Sequence, residues 1–72
     1  MAEQFREALA LIRRKEVQAR SGLSRSALYA AVAAGTFPRP VRIGSSRSVG
    51  WPSDEVTRWV ETQIRASRKA AA

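Results

Sequence analysis

The chain is 72 residues long, 44% hydrophobic and 26% charged, with thirteen Lys and Arg against six Asp and Glu and a formal net charge of +7. It contains neither cysteine nor histidine, which excludes disulfides, Cys/His zinc sites, thiol nucleophiles and imidazole bases together. A chain this short is expected to form one domain with a small core and little room for a substrate cleft, so neither enzyme activity nor a cofactor or metal is expected.

No apolar run approaches the roughly 20 residues needed to span a membrane. The opening MAEQFREALA carries acids where a secretory leader has a basic stretch and then an apolar one, so a cytoplasmic location is the expectation.

The charge is unevenly placed. Residues 1–12 carry Glu3, Arg6 and Glu7, while residues 52–72 carry Asp54, Glu55 and Glu61 against Arg58, Arg65, Arg68 and Lys69, so both ends come close to neutral. Residues 13–51 hold eight bases and one acid, Glu16. Basicity gathered in one stretch is the footprint of a polyanion binder, most often nucleic acid. The alternative is an Arg-rich solvated surface with no partner.

Taking the elements in order, Phe5, Ala8, Leu9 and Ile12 fall at i, i+3, i+4 and i+7, which predicts a short amphipathic helix within residues 1–12. RRKEVQARSG (13–22) predicts a two-turn helix with Val17 inward and Glu16 spaced to pair with Arg20, ended by Gly22. A second helix follows at about 24–34. Ser24 suits its N-cap, Leu23 and Leu28 flank the cap as a hydrophobic staple, and Gly35 closes it. Helix, glycine-containing turn, helix is the helix-turn-helix plan.

At about 100° per residue, Leu28, Ala31 and Val32 define the buried side of that second helix, and Arg25, Ser26, Tyr29 and Ala33 its outer side. Small residues around one base and one phenol suit a helix that enters a major groove about 12 Å wide.

Pro38 and Pro40 in TFPRP forbid further helix. VRI (41–43) and VGW (49–51) flank GSSRS (44–48), which predicts a β-hairpin with Arg47 at its tip. Pro52 and Ser53 open a last helix, with Asp54 and Glu55 at the positive end of its dipole. Val56, Trp59, Val60 and Ile64 form its apolar stripe, interrupted by Gln63, and should cover the core. Trp51 and Trp59 are expected in that core, and SRKAAA (67–72) as a basic, frayed tail.

In series, KEV opening the first helix, GLSRSALY across the turn, Gly35-x-Phe37-Pro38-x-Pro40, Arg47-x-x-Gly50-Trp51 and SDEVTRWV resemble the AlpA family of prophage regulators. These are small relatives of the MerR-like and excisionase winged helix-turn-helix proteins. The resemblance covers about residues 13–66, between the N-terminal segment 1–12 and the tail. The fold it implies is a single domain, mainly α with a small β-hairpin, a winged helix-turn-helix. It further implies double-stranded DNA binding and control of prophage or integrative-element genes, such as an integrase gene. Ser24, Arg25, Ser26 and Tyr29 fall where the family's recognition helix meets DNA, and Ser45, Ser46 and Arg47 in its wing.

Side-chain chemistry gives each candidate a role. Arg25 suits bidentate reading of a guanine O6/N7 edge. Ser24 and Ser26, with the first-turn amides, suit phosphate oxygens. Tyr29 suits a phosphate or a thymine methyl, and Arg47 a narrow minor groove. Arg14, Lys15, Arg39 and Arg42 are candidates for backbone phosphates. Each has a structural alternative: Ser24 as a helix cap, Tyr29 as a lid on the core edge, Arg47 as a solvated turn residue.

Beside the regulator stand two other readings. One is an excisionase-like directionality factor that bends attachment-site DNA beside a recombinase partner. The other is an interaction protein that uses Phe5, Leu9 and Ile12. A single module of this size gives a small DNA interface, so a homodimer or a cooperative array on repeated half-sites is expected.

Overall fold

The computed structural model describes residues 8–71. In chain order these form β1 (Leu11–Ile12), α1 (Arg14–Ser21), α2 (Arg25–Ala34), β2 (Val41–Arg42), β3 (Val49–Pro52) and α3 (Ser53–Ala71).

The α1–turn–α2 unit follows from local chemistry. Gly22 adopts φ 78° and its N–H donates to the Gln18 carbonyl, stopping α1; a side chain there would strain this left-handed backbone. Ser24 is extended, and its Oγ accepts from the Ala27 N–H at 3.1 Å, capping α2. At the other end, the Gly35 N–H donates to the Ala31 and Val32 carbonyls.

The strands form one antiparallel sheet in the order β1-β3-β2, with Leu11 opposite Pro52, Ile12 opposite Trp51, Val41 opposite Gly50 and Arg42 opposite Val49. Central Gly50 is where the strands crowd: a Cβ there would lie 3.1 Å from Leu11 Cβ and 3.2 Å from Ile43 Cδ1.

The core is Ile12, Val17, Leu28, Phe37, Trp51 and Val56, with Leu23, Ala31, Val32 and Trp59 packed against it. Two indoles hold the segment after α2. Trp51 Nε1 donates to the Pro38 carbonyl at 2.9 Å and Trp59 Nε1 to the Thr36 carbonyl at 2.8 Å. Phe37, between Thr36 and Pro38 in sequence, tilts 60° against the Trp59 ring with centroids 4.8 Å apart, a favoured aromatic geometry. Helix-turn-helix, β-hairpin and closing helix thus make the small, mainly α winged-helix domain expected.

Three expectations need correction. The N-terminal amphipathic helix does not exist over residues 8–12: residues 8–10 lack regular structure and Leu11–Ile12 is a strand; Phe5 lies outside the described residues. Pairing with β3 decides this, because Ser53 extends the ladder. The Ala10 N–H donates to Ser53 Oγ at 2.9 Å, the Ser53 N–H to the Ala10 carbonyl at 2.8 Å, and Ser53 Oγ to the Ala8 carbonyl at 3.3 Å. Ile12 enters the core while Leu9 remains 74% exposed.

The expected fraying of the tail is the second correction, since α3 runs unbroken to Ala71. Arg65, Ala66, Arg68, Lys69 and Ala70 are good helix formers, and the late bases suit the negative end of the dipole. Third, the α3 stripe covers the core only as far as Trp59, because Val60 lies outside that cluster and every residue from 61 to 70 is exposed.

Candidate nucleic-acid interface

At the start of α1 three bases follow one another, Arg13, Arg14 and Lys15. Arg13 is the N-cap, extended at φ −87° and ψ 167°, and no side chain caps this end of the helix. The first-turn amides of a helix lack intrahelical acceptors, and the dipole makes this end positive. Arg14 is aimed by its neighbour: its Nη1 donates to Gln18 Oε1 at 2.7 Å, one turn on.

Arg13, Arg14 and Lys15 share an open groove of about 330 Å³ with Tyr29 of α2 and with Val49 and Trp51 of β3. Helix-turn-helix and wing therefore meet at one concavity, basic on one wall and aromatic on the other. Tyr29 is 44% exposed. Arg42 pairs opposite Val49, which puts its side chain on the groove's side of the sheet.

Beside the groove lies the outer face of α2, where Arg25, Ser26, Tyr29, Ala30 and Ala33 are all exposed. Arg25 precedes Tyr29 by four residues, so the two stand one above the other on the helix surface. Ser24 is occupied as the cap, leaving its second lone pair free to meet a ligand.

The wing turn is built by its serines. Ser46 Oγ donates to the Ile43 carbonyl at 2.8 Å and accepts from the Ser48 N–H at 3.2 Å, while the Ile43 N–H donates to the Ser48 carbonyl at 2.9 Å. Ser46 is thus first a turn builder. Ser45 and Arg47 are exposed in the same turn, and Arg39 is exposed in the segment before β2. None of these three lines the groove.

Of the bases, Arg20 is bound to Glu16 at 2.6 Å and Arg58 to Asp54 at 3.3 Å. Arg13, Arg14, Lys15, Arg25, Arg39, Arg42 and Arg47 form no ion pair among the described residues. Arg13 and Val49 were not among the residues selected from sequence. Arg13 could have been, as the first base of the run; Val49 could not, because only the tertiary placement of β3 brings it into one groove with Tyr29.

Among the described residues no group of three or more His, Cys, Asp or Glu side chains gathers to hold a metal, and no helix is long and apolar enough to cross a membrane.

A small winged helix-turn-helix domain with a basic groove between helix and wing is the class the geometry defines. The family model described as Prophage CP4-57 regulatory protein (AlpA) matches residues 10–64. The chain belongs to this AlpA family of prophage regulatory proteins. It is 41% identical over 58 residues, 81% of its length, to the Uncharacterized protein ORF88 of Enterobacteria phage P4. The chain spans 64% of the length of that relative. No solved structure matches the present chain.

Proposed function

We propose that the protein is a sequence-specific double-stranded DNA-binding regulator of prophage or integrative-element genes. Its outer α2 face enters the major groove, and the groove-lining bases and wing hold the backbone on either side. The observation that carries this reading is the convergence of Arg13, Arg14, Lys15 and Tyr29 on one groove beside a slender α2 surface. A DNA-reading helix needs phosphate contacts flanking it to fix register and orientation, and here the bases stand beside that helix without competing carboxylates.

The division of labour follows from side-chain reach. Arg25 is the base on the exposed face of α2, so guanine reading falls to it, as a bidentate O6/N7 contact. Tyr29, at the lip of the groove, offers its hydroxyl to a phosphate. Ser24 and Ser26 contribute hydroxyls to the same strand. Ser45, Ser46 and Arg47 follow the backbone or minor groove from the wing, and Arg39 and Arg42 add phosphate neutralisation.

The experiment is a selection of sheared source-genome DNA by the purified protein at about 0.15 M salt, where non-specific binding is weak, followed by sequencing of the retained fragments. Enrichment of discrete sites at promoters is the expected result. Enrichment confined to attachment sites would replace the regulator with the excisionase-like reading, and no enrichment would refute sequence-specific binding.

A further inference from the structure

From Glu61 onward α3 leaves the domain behind, about three turns of helix in which every residue from 61 to 70 is exposed. Its propensity keeps this stretch helical, yet Ile64, 45% exposed, carries on outside the domain the apolar stripe that runs from buried Val56 through half-buried Val60. Two shallow grooves follow one another along this side. One, of about 250 Å³, is lined by Val56, Val60 and Glu61 together with Arg20 and Thr57; the next, of about 360 Å³, is lined by Ile64 and Arg68 with Gln63 and Ser67. They make a single strip, with the Glu61 carboxylate toward one end, where the guanidinium of Arg20 is already bound to Glu16, and the guanidinium of Arg68 toward the other.

We propose that this strip is where a second copy of the chain docks, with the two α3 helices antiparallel across a two-fold axis at Ile64. Charge decides the occupant and the direction. Glu61 and Arg68 are seven residues apart, two turns on one face, and neither is engaged in an ion pair among the described residues. An antiparallel pair centred between them sets Glu61 of each copy beside Arg68 of the other and brings the two Ile64 side chains together. A parallel pair would set carboxylate on carboxylate and guanidinium on guanidinium. A two-fold contact must be self-complementary, and the antiparallel arrangement meets that condition. The strip is short beside a standard interface of about 1,600 Å², so the dimer is weak and fills with concentration.

The test is sedimentation equilibrium of the full chain without DNA, up to about 1 mM protein, so its outcome is independent of the DNA reading. The weight-average mass should rise from 7.9 kDa toward twice that value. Glu61→Arg or Arg68→Glu alone should weaken association roughly 5- to 30-fold, since two symmetric pairs each turn from attraction to repulsion. The double variant should recover it, and Ile64→Asp should leave monomer throughout. All three positions are exposed, so far-UV circular dichroism should stay that of the parent. A parent that remains monomeric at every concentration overturns the proposal, as does a double variant no better than either single one.

Discussion

The indole N–H of fully buried Trp51 donates to the carbonyl of Pro38 at 2.9 Å, tying the middle strand of the sheet to the segment that follows α2. Pro38 and Pro40 lack amide hydrogens and cannot anchor this segment through their own N–H groups, so the tryptophans supply the donors. Trp51→Phe should cost about 1–3 kcal/mol, from the orphaned carbonyl and the lost packing volume. Trp59→Phe, at a half-buried site, should cost less than about 1 kcal/mol. Urea denaturation followed by circular dichroism checks both; equal losses would show that the carbonyl contact, not burial, sets the cost.

How much of this is legible in the sequence depends on range. The ends of α2 are, because Ser24 caps and Gly35 stops the helix through contacts within four residues. The hairpin is legible from Gly44 and the serines that close its turn. The strand at Leu11–Ile12 is not: its spacing suits a helix, and what overrides it is a partner some 40 residues away, at Trp51 and Pro52. The candidate site divides the same way. Arg25 and Tyr29 can be assigned to one helix face from spacing alone, whereas Val49 joins Tyr29 in the groove only through the tertiary placement of β3. The end of α3 is misread because its composition says tail while its helix propensity says helix.

Ser53 is buried to 1% exposure and serves both as the first residue of α3 and as the anchor of residues 8–10. Ser53→Ala removes the acceptor of the Ala10 N–H and the donor to the Ala8 carbonyl. The expected loss is about 1–2 kcal/mol of stability. The sharper readout is hydrogen exchange. Protection of the Ala10 amide should fall far more than that of Leu28, in the core of α2, because the cut releases one segment and leaves the domain folded.

Gly50 has conformational freedom to spare, but its role is space. A methyl there meets Leu11 Cβ at 3.1 Å, Ile43 Cδ1 at 3.2 Å and the Ile12 carbonyl oxygen at 3.3 Å, and the last of these is backbone and cannot swing away. Gly50→Ala should therefore destabilise by about 1–3 kcal/mol through overpacking, despite the higher strand propensity of alanine. Thermal denaturation of the pair checks the sign. The companion change Leu11→Ala, which removes the side chain beyond Cβ at a 44% exposed site, should not rescue it, since the Cβ itself makes the closest contact.

Arg25 and Lys15 separate the two components of DNA binding. Arg25 stands on the exposed face of α2, and Lys15 lines the groove at the start of α1. A base-reading arginine discriminates by about 1–3 kcal/mol, so Arg25→Ala should weaken binding to the selected site roughly 5- to 150-fold while leaving affinity for unrelated DNA nearly unchanged. Lys15→Ala should instead weaken both classes of DNA by a similar factor. It should also lower the slope of log K against log salt by about one, the signature of one lost phosphate contact. Titrations of both variants on selected and scrambled duplexes at several salt concentrations read the two effects separately. If Arg25→Ala lowers the salt slope and weakens both duplexes alike, Arg25 holds a phosphate, and base reading passes to the remaining polar side chains of that face, Ser26 and Tyr29.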